Sequence, residues 1–231
     1  MREIVLDTET TGFEPETGDR IVEIGAVELL NHMPTGTTYH EYINPERSMP
    51  QEAFEVHGLG DDFLKDKPVF KAIGQAFLDF VGDAKLVIHN AAFDMKFLNA
   101  ELGWIGLPPL PDDRAIDTLA IARKRFPGAP ASLDALCRRF GIDNSARTLH
   151  GALLDSEILA EVYLELIGGR QPGFGLDRRE EDRVAGADTA WKPRPRPTPL
   201  APQITEAERA AHSAFVDAMG EAALWRRGGS A

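Results

Sequence analysis

Cysteine is nearly absent from this chain of 231 residues: Cys137 stands alone, so no internal disulfide can form. In Leu136-Cys137-Arg138 it reads as a core thiol and not a nucleophile. No stretch approaches the roughly 18 consecutive apolar residues of a membrane-spanning helix. The N-terminus lacks the basic and apolar regions of a secretory signal, so a cytoplasmic protein is expected. Positive charge is also scarce. There are 25 Lys/Arg against 37 Asp/Glu, a formal net charge of −12. The deficit is uneven: residues 1–169 hold 15 basic and 28 acidic side chains, residues 170–231 hold 10 and 9. An acidic domain argues against a charge-driven, non-specific grip on duplex DNA. A metal enzyme working at a strand end remains compatible with it, because bound cations invert the local field.

What is present is a globular composition, 43% apolar, in a chain long enough for one α/β domain plus an appendage. The organising stretch is Ile4-Val5-Leu6-Asp7-Thr8-Glu9-Thr10-Thr11-Gly12, a short apolar run that reads as a buried strand. Asp7 and Glu9, two residues apart, project from the same strand face. Two like charges near a core are costly unless something positive sits between them, and a hard cation such as Mg²⁺ or Mn²⁺ suits oxygen ligands. Residues 20–29 and 37–43 read as strands two and three of an antiparallel meander. Pro68 is expected to open a helix with Val69, Ile73, Phe77 and Val81 on one face. Residues 85–89 and 115–117 read as further strands, each followed by a helix, and Ser132 and Gly141 bound another. The last helix of the domain is expected from about Gly151 to Ile167. A meander followed by alternating strands and helices predicts a mixed sheet flanked by helices, with its ligand site at strand C-terminal ends.

Beyond Gly169 the composition changes. Residues 170–203 are rich in Gly, Pro, Arg and Asp and read as a flexible linker, its second half stiffened by Pro193, Pro195, Pro197, Pro199 and Pro202. Thr205 and Glu208 form a capping box for a final helix whose face runs through Ala207, Ala211, Phe215, Ala218, Met219 and Ala222. A lone amphipathic helix on a linker needs something to dock on.

Four acids and one histidine stand at strand ends and helix starts: Asp7, Glu9, Asp94, His150 and Asp155. Along a helix five residues turn about 500°, so His150 and Asp155 can share a site only if His150 lies at or before the first turn. Asp155 interrupts an otherwise apolar face of Leu154, Ile158, Leu159 and Val162, which a purely structural helix has no reason to tolerate. Asp117 reads as the cap of the helix from Thr118, His89 as a strand-end residue bonding backbone, and His32, His40 and His212 as solvated.

In these residues the chain resembles the DnaQ-like (DEDDh) 3′→5′ exonucleases. Asp7-x-Glu9-Thr10-Thr11-Gly12, His89-Asn90-Ala91-Ala92-Phe93-Asp94 and His150-Gly151-Ala152-Leu153-Leu154-Asp155 match that pattern in order, over residues 1 to about 169. Ser132 to Cys137 and Thr148 to Asp155 are similar to the epsilon-type branch that proofreads for bacterial DNA polymerase III. The resemblance implies an RNase H-like five-stranded fold and two divalent ions, Mg²⁺ or Mn²⁺. It implies Asp7, Glu9, Asp94 and Asp155 as metal ligands and His150 as general base. With Asp7, Glu9 and Asp155, it implies Glu52 and His57 as contacts to the terminal nucleotide. The implied partners are a single-stranded 3′ end of DNA, the catalytic (alpha) subunit of DNA polymerase III through residues 204–231, and a small theta-like subunit. The sliding clamp is implied through Gln171, Phe174 and Leu176, although Gly173 and Gly175 depart from the bulkier residues usual there. Two rivals stand beside this reading, an RNase T or oligoribonuclease-like exoribonuclease and a non-catalytic polymerase scaffold. The long tail speaks against the first and the intact five residues against the second.

Overall fold

The N-terminal apolar run is the central strand of a five-stranded sheet. The computed structural model describes residues 1–145, 149–169 and 204–220. The chain divides into two units, Met1–Asp177 and Arg178–Ala231. In the first, β1 (Arg2–Thr10) pairs antiparallel with β2 (Ile21–Leu30), and β2 antiparallel with β3 (Met33–Tyr42). Helices α1 (Gln51–His57), α2 (Asp61–Leu64) and α3 (Phe70–Val81) follow. The chain then re-enters the sheet as β4 (Lys85–Ile88), parallel to β1. Helix α4 (Ala91–Trp104) leads to β5 (Ala115–Asp117), parallel to β4. Helices α5 (Thr118–Arg125), α6 (Leu133–Phe140) and α7 (Ala152–Leu166) complete the unit. The strand order is β3-β2-β1-β4-β5, the mixed sheet that the sequence leads one to expect.

Alternation along β1 builds two cores. Ile4 and Leu6 pack with Phe70, Phe77 and Phe97 of α3 and α4, whereas Val5 packs with Leu136, Leu159 and Val162 of α6 and α7. Each fully buried side chain of this size contributes roughly 1.5–3 kcal/mol. By the same alternation Asp7 and Glu9 follow Val5 toward α7, and Thr8 follows Leu6 toward α4. Cys137 is buried in the second core, as its context suggests.

Three details differ from the sequence reading. The β2–β3 hairpin is tighter than expected, because Asn31 and His32 (φ 51° and 66°) both adopt the left-handed conformation of a two-residue turn. The turn lacks the usual glycine, which hid it. His32 is consequently only partly solvated. Its Nδ1 lies 2.7 Å from Oε2 of the fully buried Glu3, whose Oε1 accepts a 2.7 Å bond from the Tyr163 hydroxyl. A carboxylate without water must find such partners. Helix α3 starts at Phe70 and not at Pro68, since Val69 is kept extended by bridging to Asn44.

Two long-range contacts lock the elements that bear the site. Arg20 donates through Nε and Nη2 to both oxygens of buried Glu101 at 2.8 and 2.9 Å, tying the start of β2 to α4. That pairing raises the Arg20 pKa. The second contact is at Gly25, which stands opposite Asp7 in the β1–β2 register. A Cβ on Gly25 would lie 2.1 Å from the backbone of Ala152 and Leu153, so the first turn of α7 rests directly on β2. Ser156 Oγ donates to the Gly25 carbonyl at 2.9 Å.

In the second unit, α8 (Glu206–Ala218) begins at the expected capping box, with Thr205 and Glu208 bonding each other's backbone. Phe215 on its apolar face is exposed. The expected linker over 170–203 and the end of the segment, residues 221–231, lie outside the described residues.

Gly25→Ala should displace the first turn of α7 and cost about 3 kcal/mol, the scale of overpacking where backbone must move. Chemical denaturation measures this. A variant as stable as the parent would show that α7 can retreat without cost.

Candidate active site

A cavity of about 560 Å³ opens at the C-terminal ends of β1 and β4. Asp7 and Glu9 reach it from β1, Asp94 from the first turn of α4, and Asp155 from the first turn of α7. His150 precedes α7. Its backbone N–H donates to the Val56 carbonyl at 3.1 Å, and Gly151 is the extended N-cap. That position before the first turn is the one condition under which a histidine five residues from Asp155 can meet it. His150 Nδ1 lies 3.4 Å from Asp155 Oδ2, with His150 half-exposed and Asp155 buried.

Ligand atoms of Glu9, His150 and Asp155 all lie within 4.8 Å of one another, a spacing that could hold a metal ion. Asp7 and Asp94 line the same cavity outside that tight trio. The donor set fits a hard divalent cation, since buried carboxylates of like charge crowd one another and offer oxygen.

Asp94 shows the cost of the arrangement. Burial pushes its carboxyl up to about 7, against hydrogen bonds from the Thr8 hydroxyl and from backbone. The Thr8 bond is 2.7 Å long. The sequence reading missed Thr8, although its place between Asp7 and Glu9 sets it on the opposite face of β1. Asn90 begins α4 in the left-handed conformation, φ 68°. Asp117 Oδ1 accepts from both the Asn90 N–H at 3.1 Å and the Leu119 N–H at 2.9 Å. It therefore caps α5 as expected and also fixes the turn that delivers Asp94. His89, just past β4, bonds the Ala131 backbone as expected, and its Nδ1 also lies 2.9 Å from the Thr118 hydroxyl. Burial holds the His89 pKa down.

Glu52 and His57 are not in this cavity. They line a neighbouring one of about 610 Å³, and the two share Thr8, Glu9 and Phe93. His57 is buried, Nδ1 accepts the Leu59 N–H at 3.0 Å, and burial keeps its pKa below the ordinary value against the Thr10 backbone. His40 is exposed as expected, although it also pairs with Glu23 at 2.7 Å, and His212 is exposed. Gln171, Phe174 and Leu176 lie outside the described residues.

Residues 4–163 match the sequence model of the RNase_T exonuclease family. The chain belongs to that exonuclease family. Curated relatives named DNA polymerase III subunit epsilon include that of Salmonella typhimurium, 46% identical over 97% of both chains. That of Escherichia coli is 44% identical over the same shares. That of Rickettsia felis is 56% identical over 76% of this chain and 78% of its own. Among solved structures, exonuclease X in complex with 5′-overhanging duplex DNA superposes with a TM-score of 0.56 at 26% identity. It covers 71% of this chain and 90% of that one. The nuclease domain of 3′hExo, a DEDDh member bound to rAMP, gives 0.62 at 21% identity over 72% and 91%. The fold is RNase H-like and the activity is that of a 3′→5′ exonuclease, of a metal-dependent family.

The raised Asp94 pKa has a stability consequence in metal-free protein. A carboxyl that binds its proton more tightly when folded favours folding at low pH, and that contribution is lost as pH rises from about 4 through 7. Asp94→Asn should therefore melt with the parent near pH 4 and above it at pH 8, and Mg²⁺ should narrow the gap by stabilising the parent. A variant less stable than the parent at pH 8 without metal would contradict this.

Proposed function

We propose that this exonuclease removes mispaired 3′-terminal nucleotides from DNA as nucleoside 5′-monophosphates, editing for a bacterial replicative polymerase in the cytoplasm. The observation that carries the proposal is the convergence of Glu9, His150 and Asp155 within 4.8 Å, in one cavity with Asp7 and Asp94. In this reading Asp7, Glu9, Asp94 and Asp155 hold two divalent ions, Mg²⁺ or Mn²⁺. Bound there, the ions supply Lewis acidity toward the scissile phosphate and offset the charge that builds on it. Asp155 holds Nδ1 of His150, leaving Nε2 to take a proton from the attacking water. The water oxygen bonds to phosphorus as the bond to the penultimate 3′-oxygen breaks. The phosphate leaves on the terminal nucleotide, whose sugar and base lie against Glu52 and His57.

The same reading assigns residues 1–169 to catalysis and 170–203 to a linker. Gln171, Phe174 and Leu176 there meet the sliding clamp, and 204–231 anchor the chain to the alpha subunit, with a small theta-like subunit as a further partner. The support is the likeness to polymerase III epsilon subunits, which at 46% identity extends over 97% of the chain, tail included. Neither an RNase T-like ribonuclease nor a scaffold accounts for both that tail and five intact site residues.

Release of nucleotide from a 3′-mismatched primer should require Mg²⁺ or Mn²⁺ and stop with EDTA. Asp7→Ala should abolish it, and His150→Ala should lower it about 10²–10⁴-fold, the range of general-base catalysis. A His150→Ala enzyme within about threefold of the parent would mean another group takes the proton.

Deleting residues 204–231 separates the two parts of the assignment. Cleavage of single strands should persist while co-purification with the alpha subunit is lost. Continued co-purification of the truncated chain would refute the anchor.

A further inference from the structure

We propose that Arg123 on α5 is the contact for the backbone phosphate on the 5′ side of the cut, and so selects polymeric strands over isolated nucleotide esters. The inference rests on the reading above, in which the strand end is cut at the Asp7 to Asp155 cluster. The two cavities meet at Thr8, Glu9 and Phe93. With the terminal nucleoside in the cavity of Glu52 and His57, the scissile phosphate lies at the shared wall. The strand leading up to it then runs along the other cavity, toward His89, Ser132 and Arg123.

That cavity is hostile to a polyanion, since Asp7, Glu9, Asp94, Asp134 and Asp155 all line it. Arg123 is the one Lys or Arg in its described lining. Two nearby arginines are already engaged. Arg125 donates to the Glu165 carbonyl at 2.8 Å, and Arg139 lies over the Phe126 ring at 4.3 Å. Arg123 is exposed, and among the described residues it makes no hydrogen bond or ion pair. Its charge is felt by His89, whose proton affinity it lowers. Among the described residues this guanidinium has no carboxylate partner, although five acids line the same cavity. A fork of N–H donors held over the path of the strand matches the geometry of a phosphate. A contact of this kind reads the backbone and not the base, as an editing enzyme that meets every sequence requires.

The test uses the full chain and two substrates. One is a single-stranded oligodeoxynucleotide; the other is the p-nitrophenyl ester of thymidine 5′-monophosphate, which has a cleavable phosphodiester and no upstream nucleotide. The ratio of kcat/KM for oligonucleotide over ester should fall about tenfold in Arg123→Ala, through KM. Arg123→Lys should recover part of it, and the dependence of log kcat/KM on log salt should flatten by about 0.7. Arg138→Ala removes the same charge from α6, outside the cavity, and should shift the ratio by less than about twofold. An equal fall for both substrates in Arg123→Ala, or the same fall in Arg138→Ala, would overturn the assignment. Asp7→Ala checks the underlying reading: if that variant keeps both activities, the cluster is not where the strand is cut, whatever Arg123 does.

Discussion

The contact between the first turn of α7 and the backbone of β2 at Gly25 is the constraint on which the site depends. Asp155 sits on that turn, His150 just before it, and Glu9 on the neighbouring strand. Their ligand atoms converge only because no side chain separates helix from sheet at residue 25. The Ser156 hydroxyl bonded to the Gly25 carbonyl fixes the helix in that place. Interiors packed at crystal-like density transmit such a displacement and do not absorb it.

Charge is arranged in the same economical way. The first 169 residues are strongly acidic, yet the structural acids have partners. Glu101 takes the fork of Arg20, and Glu3 takes the Tyr163 hydroxyl beside His32. The site acids share one cavity, and burial pushes the Asp94 carboxyl up to about 7. A fold that gathers Asp7, Glu9, Asp94 and Asp155 in one cavity offers the oxygen ligands that hard cations take. The acidity that argues against a grip on duplex DNA is therefore the property a metal-dependent nuclease needs.

Much of this was legible in the chain. The period-two run at Ile4 to Glu9 marked the central strand and put Asp7 and Glu9 on one face. The five-residue step from His150 to Asp155 required a histidine before the helix, where it stands. Capping residues such as Asp117, Ser132 and Thr205 marked helix starts to within a residue. These features are local, encoded by side-chain period and by the few residues able to satisfy a helix end.

What only the tertiary structure decided involves partners distant along the chain. Thr8 bonds Asp94 across 86 positions, Arg20 meets Glu101 across 81, and Gly25 admits a helix that begins at Ala152. The separation of Glu52 and His57 into a second cavity, and the placing of Arg123 in the first, belong to the same class. Side-chain period says which way a residue points but not what lies opposite. That depends on strand register and helix placement, set by the packing of both cores together. Sequence by itself determined which groups could do the chemistry, and the fold determined which of them meet.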